Sequence, residues 1–88
     1  MHSLPTNRRA AILGHHDISA INLTPRETEC LTRLAQGFRS EAISYDLGVK
    51  RVTVDLHIAN AKRKLQANTR EHAVAIALHY SLIDPEFD

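Results

Sequence analysis

The sequence predicts an all-α domain of four helices, on three observations. Apolar residues recur at three- and four-residue spacing in separate stretches between residues 23 and 83. Helix start and stop signals bracket those stretches. The composition is ordinary for a globular helical protein, with few Gly, few Pro and no Trp.

The first helix starts at Thr24-Pro25-Arg26-Glu27. Thr24 can accept from a free helix amide, Pro25 suits the first helical position, and Glu27 completes a capping box. Cys30, Leu31, Leu34 and Ala35 form its apolar stripe, and Gly37 stands where a helix closes in the left-handed conformation. Ser40 is expected to cap a second helix, Glu41–Leu47, with Ile43 and Leu47 turned inward. Gly48 supplies a tight turn and Val49 a side chain for the core. The third helix is expected over Arg51–Leu65, with Val54, Ile58, Ala61 and Leu65 as a buried stripe. At 100° per residue, Val52, Asp55, Leu56, Ala59, Asn60 and Arg63 fall on its opposite side. The fourth is expected over Arg70–Leu82, capped by Asn68 or Thr69. It carries two apolar stripes: Ala73, Ile76, Ala77, Tyr80 and Ile83 on one face, and Val74, Ala75, Leu78 and Leu82 on the other. A helix apolar on two faces needs two partners, and the second face invites another subunit.

Residues 1–22 lack periodicity and read as a linker or leader, with a short helix around Arg8–Leu13. Residues 23–83 form the domain, and 84–88 an acidic tail. Eighty-eight residues allow one domain at most. No apolar run approaches 18 residues, so nothing here spans a membrane, and Met1–Leu23 lacks the core of a secretory signal. The lone Cys30 excludes an internal disulfide and fits a reducing compartment.

Net charge is only +1, but it is unevenly spread. Over 48–66, Lys50, Arg51, Lys62, Arg63 and Lys64 oppose Asp55 alone, for +4. Over 67–88, Arg70 opposes Glu71, Asp84, Glu86 and Asp88, for −3. A basic segment beside an acidic one says more about partners than the total does. Combined with a short helix, a glycine turn and a longer helix in 43–65, it has the form of a helix-turn-helix whose second helix enters a DNA major groove.

Metal and catalytic chemistry find little support. His15-His16-Asp17 has no spaced third partner. His72 and His79 suit the polar edge of the fourth helix, His57 a structural or phosphate-neighbouring place, and Cys30 the core. No phosphate loop or acid–base pair is present, so no enzyme, cofactor or metal is expected.

The segments LTPRETECLTRLAQG, AISYDLGV and TVDLHIANAKRKL together resemble the LuxR-type (GerE-like) DNA-binding domain of bacterial transcription regulators. The resemblance covers about Leu23–Ile83. Its specificity lies in the conjunction of L-T-x-R-E, the glycine after helix one, I-x-x-x-L-G-V and T-V-x-x-H-x-x-N-A-x-x-K-L, all in register. It implies that helix three reads bases with Asp55, Leu56, Ala59 and Asn60. It implies phosphate contacts by Ser40, Lys50, Arg51, Thr53, Lys62, Arg63 and Lys64, and pairing of two copies through Val74, Ala75, Leu78 and Leu82. The expected partners are a second copy of the chain and double-stranded DNA carrying an inverted repeat, with half-sites about 10 bp apart, in the bacterial cytoplasm. Asn60-Ala61 and the Glu29-Cys30-Leu31 run resemble the quorum-sensing branch, whose signal would bind an N-terminal domain that this chain lacks. Two other readings compete: a sensor-less module that pairs with a full-length regulator and inhibits it, and the output domain of a phosphorylated response regulator.

Two positions depart from the pattern. Lys50 stands where Ser or Thr often caps helix three, and a cation there opposes the helix dipole. Asp55 brings a carboxylate to a face meant for phosphates and bases; it either specifies a C·G pair through cytosine N4 or weakens binding.

Overall fold

The computed structural model describes residues 20–86. The linker reading of 1–19, the helix expected around Arg8–Leu13 and the His15-His16-Asp17 cluster lie outside the described residues. Within them are four α-helices and no strand: α1 Pro25–Ala35, α2 Ser40–Leu47, α3 Arg51–Leu65 and α4 Arg70–His79.

The capping box at α1 forms as the sequence predicts. Thr24 Oγ1 accepts from the Glu27 amide at 3.1 Å, and Glu27 Oε1 accepts from the Thr24 amide at 2.9 Å. At α4 the cap is Thr69, whose Oγ1 accepts from the His72 amide at 3.0 Å. The α2 start differs from expectation. The helix begins at Ser40 itself, with Arg39 in the cap position and no side chain bonded to the free amides. Ser40 fails to cap because it is already helical, and its hydroxyl accepts from Arg70 Nη1 at 2.9 Å.

All four helices end in the same way. A residue of positive φ follows the last turn, and two amides reach back to the otherwise unpaired carbonyls. In α1, Gly37 (φ 97°) donates to Leu34 and Phe38 to Arg33. In α2, Gly48 (φ 69°) donates to Tyr45 and Val49 to Ser44. A side chain at Gly48 would meet nothing within 4 Å, so backbone conformation rather than space favours glycine there. Gln66 and Ser81 adopt the same conformation without being glycine, at φ 55° and 58°. The latter shortens α4. Ser81 donates to Leu78 and Leu82 to Ala77, so the helix stops at His79 rather than Leu82. The chain then turns and seats Ile83 in the core at 6% exposure.

The core has two parts, and α3 contributes to both. Cys30, Ile43, Val54 and Ile58 join α1, α2 and the first half of α3, with Leu47 and Val49 packed against them. Leu31, Ala61, Leu65, Ala73, Ile76, Ala77 and Ile83 join α1, the second half of α3 and α4. The predicted α3 stripe is entirely buried. Ile21 also packs on the second part, two residues ahead of the expected domain start at Leu23.

One ion pair fixes the end of α3 to the start of α1. Lys64 Nζ lies 2.8 Å from Glu27 Oε1 and donates to the Asn22 carbonyl at 2.9 Å. Burial pushes the Glu27 carboxyl up, but hydrogen bonds from Lys64 and the Thr24 amide outweigh it and hold the group below its ordinary value. Burial, helped by the Glu29 and Glu27 carboxylates and opposed by Arg26 and Arg33, pushes the Cys30 thiol up, leaving it a core group without thiolate character.

Candidate nucleic-acid interface

The side of α3 turned away from the core carries an unusual set of residues. Val52 is 70% and Leu56 58% exposed, although both are apolar and the core is complete without them. They lie four residues apart, one turn above the other, with Ala59 exposed on the next turn. Asn60 borders this strip, and its Oδ1 accepts from Arg63 Nη2 at 3.2 Å.

Cations frame the strip at both ends. Lys50 and Arg51 are exposed at the start of α3, and Lys62 and Arg63 lie in its last turn. The last-turn cations suit the negative end of the helix dipole. Lys50 and Arg51 do not suit the positive end, where no acidic residue stands in the first turn and no side chain bonds the free amides. The α2 start is similar, with Arg39 exposed in the cap position. The starts of α2 and α3 therefore combine open amide donors with an exposed cation in the cap position, Arg39 and Lys50, although Glu41 stands in the first turn of α2 and Asp55 faces Arg51. Such a helix end accepts an anion readily.

The sequence-predicted residues do not all come together. Leu56, Ala59, Asn60, Lys50, Arg51 and Arg63 lie on the outward side of α3, with Thr53 partly exposed near its start. Lys64 faces α1 through its pair with Glu27, away from the strip. Ser40 is 4% exposed, and its hydroxyl is taken by Arg70. Asp55 lies on the outward side, but its carboxylate is directed at two guanidinium groups, Arg51 at 3.9 Å and Arg70 at 3.7 Å.

Sequence reasoning missed Arg39 and Arg70. They share a cleft of 640 Å³ with Ser40, Glu41, Arg51 and Glu71, where the starts of α2, α3 and α4 meet. Arg70 lies in the acidic C-terminal segment of the sequence, and α4 brings it to the start of α3. A rule that weighs basic residues at each helix start, rather than along each segment, would have found both.

The second stripe of α4 divides. Val74 and Leu82 pack partly against the core, whereas Ala75 is exposed and Leu78 is 45% exposed. No described helix is long and apolar enough to cross a membrane, and the described residues contain no cluster of three or more potential metal ligands.

Comparison with known proteins places this arrangement. Residues 21–77 match the family model for bacterial regulatory proteins of the luxR family, GerE. The chain is 48% identical over 77 residues to the quorum sensing-dependent transcriptional regulator RpaR of Rhodopseudomonas palustris, covering 88% of this chain and 32% of that protein. It is 41% identical over 63 residues to the transcriptional activator BjaR1 of Bradyrhizobium diazoefficiens, covering 72% and 26%. It is 39% identical over 61 residues to the transcriptional regulatory protein YdfI of Bacillus subtilis, covering 69% and 29%. The chain thus spans about a quarter to a third of the length of these relatives. The family match takes in all of α1, α2 and α3 and most of α4. With the capping box, the glycine turn and the α3 stripe in register, this chain belongs to the LuxR (GerE) family of bacterial regulatory proteins.

Proposed function

We propose that this domain binds double-stranded DNA sequence-specifically, as the output module of a transcription regulator of the quorum-sensing branch. The observation that carries the reading is the outward side of α3: an apolar and amide strip that the core does not need, bounded by cations and by an uncapped helix start. In the mechanism, α3 lies in the major groove. Leu56 and Ala59 meet base edges and thymine methyl groups, and Asn60 offers an amide for hydrogen bonding to a base. Lys50, Arg51 and Thr53 at the α3 start hold one phosphate strand, and Lys62 and Arg63 hold the other side of the groove. The amides at the starts of α2 and α3 add donors to the same phosphates. Lys64 and the Ser40 hydroxyl have other partners, so their part is to support the site.

Ala75 and Leu78 on α4 are the patch through which two copies pair, with Val74 and Leu82 at its rim. A paired arrangement calls for an inverted-repeat operator with half-sites about 10 bp apart. RpaR is named as quorum sensing-dependent, which supports the branch assignment.

The test is fluorescence anisotropy on random-sequence duplex DNA at about 50 and 200 mM salt, followed by selection of bound sequences. The reading expects salt-steep binding that resolves to a two-fold-symmetric consensus. Absence of binding at the lower salt would refute direct DNA recognition by this chain.

A further inference from the structure

The groove-entering role of α3 leaves Asp55 unexplained. A carboxylate that reads a base must turn a free oxygen outward, toward the cytosine amino group. Asp55 has a side chain 44% exposed, but only one of its two oxygens is left to do so. Its Oδ1 is covered by the protein and accepts no hydrogen bond, and the nearest cation is Arg70 Nη2 at 3.7 Å. Its Oδ2 faces Arg51 Nε at 3.9 Å, one turn back along α3. Arg70 is held a second time, where Nη1 donates to the buried Ser40 hydroxyl at 2.9 Å. Ser40, Arg70, Asp55 and Arg51 therefore form a chain that links the starts of α2 and α4 to the first turns of α3.

The two arginines remain available to an outside anion. Their side chains are 64% and 39% exposed for Arg51 and Arg70. A guanidinium has five N–H donors, more than these contacts use. Orienting a guanidinium before the phosphate arrives lowers the entropy lost on binding.

We propose that Arg70 is a further phosphate-binding residue, and that Asp55 positions Arg70 and Arg51 for the DNA backbone instead of reading a base. This rests on the DNA-binding reading above. Asp55 then sharpens discrimination indirectly. It offsets positive charge that would hold any duplex, and it fixes two donors in the register that the correct operator requires. The cost of the carboxylate near phosphates falls on all sequences alike.

The experiment uses the full chain, its selected consensus duplex and a random duplex, each measured at about 50 and 200 mM salt. Arg70→Gln is expected to lower the log–log salt slope by about one without changing the consensus, and Arg70→Lys to keep the slope. Asp55→Asn is expected to leave every consensus position unchanged. It should lower the preference for consensus over random DNA by up to about fivefold, the scale of a partly exposed ion pair. In the Arg70→Gln background, the same Asp55 substitution should change that preference far less. If Asp55→Asn alters the selected base at one position of each half-site, Asp55 reads a base and the proposal is wrong. An Arg70→Gln slope equal to that of the unsubstituted chain would also overturn it. Failure of the unsubstituted chain to bind any duplex would refute the DNA-binding reading itself, a different outcome from either of these. Circular dichroism confirms that each variant is folded; Asp55 and Arg70 lie outside the apolar core, and the Lys variant at 70 retains the charge.

Discussion

Helices α1 and α4 begin on threonines whose hydroxyls accept from free amides, whereas α2 and α3 begin on Arg39 and Lys50 with no such bond. The C-terminal ends show no such division, since all four close through paired backbone bonds. The framework helices thus satisfy their own first turns, and the helix-turn-helix leaves its first turns open and adds a cation to each. In the free domain this arrangement costs stability, because a cap is worth about 0.5–2 kcal/mol and a cation opposes the dipole. A bound phosphate offsets both. Departures from local consistency that concentrate at one face are the mark of a site held ready for a partner.

The largest effect should come from breaking the framework alone. Leu31 is fully buried in the part of the core shared by α1, α3 and α4. Leu31→Ala is expected to destabilise the domain by about 2–5 kcal/mol in denaturant titration. Any loss of DNA binding should follow the folded fraction and leave the consensus unchanged.

Glu27 tests the framework electrostatically. Its carboxyl titrates below the ordinary value of 4.5 in the folded chain. The folded state therefore holds this proton less well than the unfolded state does. The stabilisation is full above about pH 4.5 and is lost as pH falls through the folded value. Glu27→Gln is expected to cost about 1–3 kcal/mol at neutral pH and to flatten the acid limb of the stability curve. An unchanged acid limb would mean that the Lys64 pair contributes little.

Caps divide the two regions directly. Thr69→Ala is expected to lower stability by about 0.5–2 kcal/mol while the salt slope of DNA binding stays as it was. A fall in slope would place the α4 start among the phosphate contacts through its cap, not only through Arg70.

The framework was the legible part of the sequence. Thr24, Pro25 and Glu27 announce a cap because a hydroxyl, a fixed φ and a carboxylate act within four residues. The stripe Val54–Ile58–Ala61–Leu65 announces burial because helical geometry repeats locally. The end of α4 was less legible. Ser81 gives no signal for a left-handed residue, and the tertiary gain of seating Ile83 decides the turn. The candidate site was legible along α3 and obscure elsewhere. Leu56 could be read as surplus to the core from the helical wheel alone. The direction of the Asp55 carboxylate depends on Arg70, 15 residues away in sequence, and the turn that brings them together has no local signature. Lys64 shows the same limit in reverse, since its helical position suited phosphate and its tertiary partner is Glu27.

The smallest of these effects tests the central claim most directly. Lys50→Ser supplies the hydroxyl that α3 lacks and removes its unfavourable cation. The domain is expected to gain about 0.5–1 kcal/mol in thermal unfolding, a rise of a few degrees for a chain of this size. The same variant should bind the consensus duplex less tightly, with a log–log salt slope lower by about one. More stability with weaker, less salt-dependent binding would mean that the open α3 start is held for a phosphate. A stability gain with unchanged affinity and slope would contradict that account, and would leave Lys50 as an ordinary surface lysine.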